Sequence, residues 1–219
     1  MDMEKLIVVE TGPLRYVVSP PPAYTPRTEP WPVLCFLHGR GEVAPMPILE
    51  ALTKHGPLQP GVPQTVNDRF IVLAPQLPPQ PQPLKDPALW SEYEPKVQEV
   101  VEEVQRNYNG DPKRTYLTGF SYGGNGALDF VSDKGKFWAA RWPVDPTKVP
   151  KGYPQGPIWL SRGQCSEYEG FINLPDFKPA EDDLSGNRYF SDHGVIHAEA
   201  AKSAYRDDRI YNWLLTKHL

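Results

Sequence analysis

A single serine stands in a pattern that is typical of an activated nucleophile. Residues 119–123 read G-x-S-x-G with Ser121 at the centre, a strand-like segment at 115–118 before them and a helix-like segment at 124–130 after them. A serine on a tight turn between a strand and a helix presents its hydroxyl group, and flanking glycines let the turn close. We therefore predict that Ser121 is a catalytic nucleophile rather than a turn serine that hydrogen-bonds its own backbone.

A second motif directly follows an apolar run. Residues 38–42 read H-G-R-G-E, and from this position a backbone N–H can point at the space in front of the Ser121 hydroxyl. We predict an oxyanion hole with two donors, the backbone N–H groups of Arg40 and of Tyr122, the residue after the nucleophile. The His38 side chain is expected to brace the loop by hydrogen bonds without contacting substrate.

The elements that must position these motifs alternate between strands and helices. Apolar runs at 33–37 and 70–74 are typical of strands buried on both faces, and residues 90–108 carry valines at helical spacing opposite glutamates. Shorter predicted strands lie at 6–10, 15–18, 158–160 and 188–190, and a closing helix at 207–217. The pattern predicts an α/β fold with a mostly parallel central sheet and helices on both faces. Such sheets bind ligands at the carboxyl ends of their strands.

Length and charge narrow the class of protein. The chain has 219 residues, and we expect a single α/β domain over 1–219. The formal net charge is −4, without any run of lysine or arginine, which argues against nucleic acid or an anionic membrane surface as the main partner. There is no apolar run long enough to span a bilayer and no basic start typical of a secretory signal, so we expect a cytoplasmic protein.

The cysteines do not indicate a disulfide framework or a metal site. The chain has two, Cys35 and Cys165, which are too few for either. Cys35 is expected to lie in a buried strand as a small apolar side chain. We predict no metal and no organic cofactor, and a small-molecule ester as the partner.

Several motifs, taken in order, resemble one family of α/β-hydrolases. They are similar to esterases related to polyhydroxybutyrate depolymerases and feruloyl esterases, and they lie at 37–42, 52–57, 70–76 and 114–124. The resemblance extends from Tyr16 to the closing helix at 210–215. It implies the α/β-hydrolase fold and a serine esterase that cleaves a carboxylic ester with a serine, a histidine and an acid through an acyl-enzyme.

The resemblance also implies a general base on a loop after the last strand. His193 and His197 both lie in that region. The spacing to Tyr205, Tyr211 and Trp213 matches the family more closely from His197 than from His193. His197 is therefore the predicted base, and His193 is the alternative.

The acid departs from the family's pattern. After the predicted strand at 158–160 the family has an aspartate where this chain has Ser166, and Glu167 is the next carboxylate. We predict Glu167 as the acid, because the triad requires only a buried carboxylate that orients the imidazole. Asp145, which follows an earlier predicted strand, is the second candidate. Three further acids are expected to be solvated on loops: Asp182, Asp183 and Asp192.

Other functions stay open on the same fold. A peptidase or a lipase is the alternative enzyme, although no long apolar insertion is present that would act as a lipase lid. Because a fold does not by itself confer activity, a non-catalytic α/β-hydrolase-like binding protein is the alternative from another class. The substrate pocket is expected to include Phe120, Tyr122, the loop that holds Glu42 and the proline-rich segment at 75–83.

Overall fold

The computed structural model describes residues 6–22, 29–81, 84, 86, 89–130, 136–148, 155–163 and 176–219. One mixed sheet runs through them. Its strands are β1 (Ile7–Val9), β2 (Tyr16–Ser19), β3 (Trp31–Leu37), β4 (Ile71–Pro75), β5 (Gly110–Phe120), β6 (Ala140–Val144), β7 (Ile158–Arg162), β8 (Lys178–Pro179) and β9 (Arg188–Asp192).

The sheet is mostly parallel. Its strand order is β1-β2-β4-β3-β5-β6-β7-β9-β8. The β1–β2 and β2–β4 pairs are antiparallel, and every pair from β4 to β8 along the sheet is parallel. The carboxyl ends of β3, β5, β6 and β7 therefore meet at one edge, which is where a sheet of this kind binds its ligand.

Helices cover both faces of this sheet, as the sequence predicts. Two of them, α3 (Glu94–Tyr108) and α4 (Tyr122–Asp129), contribute apolar side chains to the core on one face. The core on the opposite face contains side chains from the remaining helices of the described residues: α1 (Ile48–Thr53), α2 (Gln64–Arg69), α5 (His197–Ala204) and α6 (Asp208–Leu215).

Strand β3 shows why the sheet needs both layers. Alternate side chains of a strand point to opposite faces, and here Leu34 and Phe36 pack into one core whereas Val33, Cys35 and Leu37 pack into the other. All seven residues of β3 are buried. The expected position of Cys35 in a buried strand is confirmed.

The predicted elements differ from the observed ones mainly at their ends. The amphipathic helix begins at Glu94, after a 3₁₀ turn at Leu89–Tyr93 that takes up the start of the predicted range. Pro95 lies in its first turn, where the missing N–H costs no hydrogen bond. The strand before the serine begins at Gly110 rather than at residue 115.

Candidate active site

Ser121 lies on a strained turn between β5 and α4. Its backbone has φ 58° and ψ −117°, a conformation that costs a non-glycine residue about 1–3 kcal/mol. The turn is held in place because the Ser121 N–H donates to the Val144 carbonyl at 3.0 Å and the Ser121 carbonyl accepts from Asn125 N–H at 3.0 Å. The serine is thereby fixed at the carboxyl edge of the sheet.

The two glycines of the G-x-S-x-G pattern are required by close backbone contacts. A Cβ on Gly119 would overlap the carbonyl group of Gly123. A Cβ on Gly123 would overlap the carbonyl oxygen of Leu37, at the end of β3. Neither glycine has a positive φ, so lack of space rather than backbone conformation excludes a side chain at these positions.

His197 meets the serine from the first turn of α5. Its Nε2 lies 2.9 Å from Ser121 Oγ, and its ring packs on Phe120 with 4.6 Å between the ring centroids. At the other end of α5 the Tyr205 hydroxyl is hydrogen-bonded to Thr118 Oγ1, within β5, at 2.9 Å. The helix that carries the histidine is thus anchored to the strand that carries the serine.

Asp145 contacts the other nitrogen of the imidazole. It directly follows β6, is fully buried, and its Oδ2 lies 2.7 Å from His197 Nδ1. Its Oδ1 accepts from the Gly163 N–H at 3.1 Å, and its own N–H donates to the Ser161 carbonyl at 2.6 Å. Both carboxylate oxygens are therefore held, and the side chain is fixed in one orientation.

These contacts determine the tautomer of the histidine. A carboxylate can only accept, so Nδ1 of His197 carries the proton and donates it to Asp145. Nε2 is then an acceptor, and the Ser121 hydroxyl donates to it. A serine, a histidine and an acid in this geometry form the arrangement that activates a hydroxyl for acyl transfer.

One of the candidate bases and one of the candidate acids lie together next to Ser121. Of the two histidines, His197 is the one that contacts Ser121, whereas the backbone N–H of His193 donates to the Arg162 carbonyl. The carboxylate on His197 Nδ1 belongs to Asp145, the second candidate, and Glu167, the first, lies outside the described residues. The three acids expected to be solvated are exposed: Asp182, Asp183 and Asp192. The expectation of a loop is wrong for Asp192, which is the last residue of β9.

A neutral histidine braces the loop after β3. The Leu77 N–H donates to His38 Nε2 at 3.1 Å, so Nδ1 must carry the proton and donates to the Gly39 carbonyl at 2.7 Å. The Trp90 Nε1–H donates to the His38 carbonyl at 3.0 Å. Burial lowers the pKa of His38 to about 4, which keeps the imidazole neutral. The predicted bracing role of this side chain is confirmed.

The next residues of this loop form a 3₁₀ turn, Arg40–Glu42, which lines the same cavity as Ser121. Arg40 and Tyr122 are each the first residue of a helical segment, where the backbone N–H has no acceptor within the helix. Both residues border the cavity in front of Ser121. That their N–H groups form an oxyanion hole stays a prediction.

The cavity in front of Ser121 has a volume of about 340 Å³. Its lining residues are Gly39, Arg40, Gly41, Glu42, Phe120, Ser121, Tyr122, Thr147 and His197. The predicted contributions of Phe120, Tyr122 and the Glu42 loop are confirmed. The described part of the proline-rich segment lines a different cavity, of about 490 Å³, through Pro78 and Pro79.

The described residues hold no group of three or more histidine, cysteine, aspartate or glutamate side chains that is arranged to bind a metal ion. Within the same ranges, no helix is long and apolar enough to cross a membrane.

Several solved structures resemble this chain in their fold. No family model matches the sequence, and no curated protein sequence matches it. A thermostable esterase is 20% identical to this chain, with a TM-score of 0.67. The match covers 99% of this chain but only 64% of that chain, so this chain spans just under two thirds of the esterase's length. An S-formylglutathione hydrolase from Staphylococcus aureus is 15% identical (TM-score 0.63, 96% of this chain and 95% of that chain). An acetyl xylan esterase from Aspergillus awamori is 13% identical (TM-score 0.64, 95% and 98%). Since all three share one architecture over nearly the whole of this chain, the protein has the α/β-hydrolase fold.

Proposed function

We propose that this protein is a serine esterase that hydrolyses a small carboxylic ester through an acyl-enzyme, with Ser121 as nucleophile, His197 as general base and Asp145 as the acid. The observation that carries the proposal is the unbroken series of hydrogen bonds from Asp145 through His197 to Ser121. The esterase fold of the neighbours is consistent with it.

The first half of the reaction forms the acyl-enzyme. Ser121 Oγ attacks the ester carbonyl carbon while His197 Nε2 takes the hydroxyl proton. The carbonyl oxygen gains negative charge, and the N–H groups of Arg40 and Tyr122 stabilise it by hydrogen bonds. The imidazolium then gives the proton to the alcohol oxygen, the ester C–O bond breaks, and the alcohol leaves.

The second half regenerates the enzyme. A water molecule in the place of the alcohol gives a proton to His197 Nε2 and attacks the acyl carbon, and the imidazolium returns the proton to Ser121 Oγ as the acid product leaves. Throughout, Asp145 holds the imidazole in the reactive tautomer and stabilises the imidazolium. No redox or group-transfer cofactor enters this scheme.

The test is labelling by a fluorophosphonate together with hydrolysis of 4-nitrophenyl acetate. We expect stoichiometric modification at Ser121 and measurable turnover in the wild type, because both require an activated hydroxyl. Ser121→Ala should lose the label and at least 99% of the turnover, that is, on the order of 100-fold or more. Circular dichroism and thermal melting of both proteins check that the fold is kept.

The outcomes also separate the alternative functions. An inert binding protein would stay unlabelled and would not hydrolyse the ester. A peptidase would label but would cleave an activated anilide of a peptide faster than esters of comparable size. Turnover that persists in a clean Ser121→Ala preparation would exclude Ser121 as the nucleophile.

A further inference from the structure

A buried carboxylate outside the triad lies in the wall of the same cavity. Glu42, the last residue of the turn Arg40–Glu42, is only 4% exposed, yet it borders the cavity together with Ser121 and His197. A glutamate is almost never buried to this extent without a partner. The reaction scheme above does not use it, so its partners decide what it can do.

Among the residues that the structure describes, one oxygen of this carboxylate has a partner and the other has none. Glu42 Oε1 lies 3.3 Å from Lys54 Nζ and 4.0 Å from His55 Nε2. Oε2 makes no hydrogen bond within the described ranges. A Cβ placed on Gly39 would lie 2.9 Å from Oε2 and 3.5 Å from Ser121 Cβ, so Oε2 and the nucleophile border the same small space.

The position of Glu42 relative to His197 indicates which part of an ester it would meet. The His55 ring packs on Phe120 with 4.8 Å between centroids, and Phe120 packs on His197. Glu42 therefore belongs to the wall of the cavity that continues to the general base. Because His197 must protonate the departing oxygen, we infer that the alcohol part of the ester occupies the side of the cavity that His197, Phe120 and Glu42 line.

We propose that Glu42 is a specificity-determining residue whose Oε2 accepts a hydrogen bond from a hydroxyl group on the alcohol part of the substrate; this rests on the proposed esterase function. A neutral donor fits this site better than an ammonium group, because Lys54 already balances the carboxylate and a second cationic residue, Arg40, lines the same cavity. A substrate carboxylate placed there would be disfavoured, because it has no hydrogen to donate and would set its own oxygens against Oε2.

The test compares three acetate esters that differ in one group: 2-hydroxyethyl acetate, 2-methoxyethyl acetate and 3-acetoxypropanoate. In the wild type we expect kcat/KM for the hydroxyl ester to exceed that for the methoxy ester by on the order of 10-fold, the worth of one hydrogen bond to a charged acceptor. The carboxylate ester should be the poorest substrate. Glu42→Gln keeps the shape of the side chain and removes its charge, so it should reduce the first ratio several-fold and improve the relative use of the carboxylate ester.

A purely structural role for Glu42 would give a different result. If its only task were to hold the Arg40–Glu42 turn, Glu42→Gln would lower kcat/KM for all three esters by the same factor, and unchanged ratios would overturn the proposal. If Glu42→Gln does not fold, Lys54→Gln serves instead, since the Lys54 side chain is half exposed. Unpairing Glu42 should then widen the gap between the hydroxyl ester and the carboxylate ester, and an unchanged gap would contradict the proposal.

Failure of this inference is distinguishable from failure of the esterase function. A wild type that hydrolyses 4-nitrophenyl acetate in a Ser121-dependent manner, but uses the hydroxyl and methoxy esters equally, would keep the proposed function and exclude the role of Glu42. A wild type that neither takes the fluorophosphonate label nor hydrolyses any of the esters would exclude both.

Discussion

At the scale of single residues, a substitution of the proposed acid, Asp145, gives a specific test of the site. Asp145→Asn preserves the size of the side chain but presents an amide to His197 Nδ1, which favours the wrong tautomer of the imidazole. We expect kcat for 4-nitrophenyl acetate to fall by about 10⁴-fold, with little change in the far-ultraviolet circular dichroism. Steady-state kinetics on the purified variant measure this directly.

The matched control is the other acid that the sequence offers. Glu167→Gln makes the same carboxylate-to-amide change, and we expect it to retain most of the wild-type kcat. The opposite pattern, a crippled Glu167→Gln and an active Asp145→Asn, would show that the hydrogen bond from His197 to Asp145 is not the one used in turnover.

The proposed nucleophile leaves a clearer pattern in the sequence than the proposed acid for a physical reason, whereas His197 was predicted from the family resemblance. The glycines around Ser121 are dictated by backbone contacts within the turn itself, so they leave a local pattern in the sequence. The acid needs only to reach His197 from the sheet edge. Because β6 and β7 are parallel neighbours joined by the hydrogen bond from Asp145 N–H to the Ser161 carbonyl, an acid after either strand was a reasonable expectation.

At the scale of elements, the contact between α4 and β3 holds the serine in place. Gly123→Ala would force a methyl group against the Leu37 carbonyl oxygen, a rigid backbone atom that cannot move aside. We expect the free energy of unfolding to fall by at least about 1–3 kcal/mol, the usual cost of overpacking. Gly41→Ala is the matched control, since a Cβ there meets nothing within 4 Å, and chemical denaturation of the two variants should separate them clearly.

The 3₁₀ turn after β3 allows the proposed oxyanion donor, the N–H of Arg40, to be removed while the turn is kept. Gly39 has φ −78° and ψ −174°, an extended conformation that a following proline accepts. Arg40→Pro therefore deletes one backbone N–H, and we expect kcat to fall on the order of 100-fold or more. Arg40→Ala keeps that N–H and should retain most of the activity. A large loss in Arg40→Ala would instead assign the effect to the guanidinium group.

The elements that sequence reasoning missed or shortened share a local cause. Helices α1 and α2 each have a proline at the N-cap, Pro47 and Pro63, and both lie in stretches rich in proline and glycine that are typical of loops. The amino-terminal part of β5 contains Pro112, which argues against a strand when seen in the sequence alone. Helices α1 and α2 are stabilised by packing against the core, and the start of β5 is stabilised by pairing with β3. Neither interaction can be seen in a short window of sequence.

At the scale of the whole molecule, the alternation of strands and helices was enough to predict the sheet, its mostly parallel strands and the helices on both faces. The strand order could not be predicted from the sequence, because it depends on which strands pair with each other and not on any one segment. That a single domain extends over 1–219 stays a prediction. The order of the sheet nevertheless has a functional consequence, since it places the ends of β3, β5 and β6 side by side at the proposed site.

Stability of the whole fold should depend on pH through the brace at His38. Burial lowers the pKa of His38 to about 4 in the folded protein, whereas an unfolded histidine titrates near 6.5. Between these values the unfolded chain binds a proton that the folded chain does not. The contribution of His38 is therefore fully present above about pH 6.5 and is lost as the pH falls toward about 4, with a slope of about 1.4 kcal/mol per pH unit at its steepest.

Urea unfolding between about pH 7 and pH 4.5 measures this slope. Burial also lowers the pKa of His55 and of His193, so all three groups contribute to the wild-type slope with the same sign. His38→Gln should be less stable at neutral pH, because it disturbs the bonds to Leu77 and Gly39, but its stability should fall less steeply with acid. His218→Gln, at an exposed position near the end of the chain, should keep the wild-type slope. Equal slopes in wild type and His38→Gln would show that the imidazole takes up its proton without disturbing the loop that carries the proposed oxyanion donor.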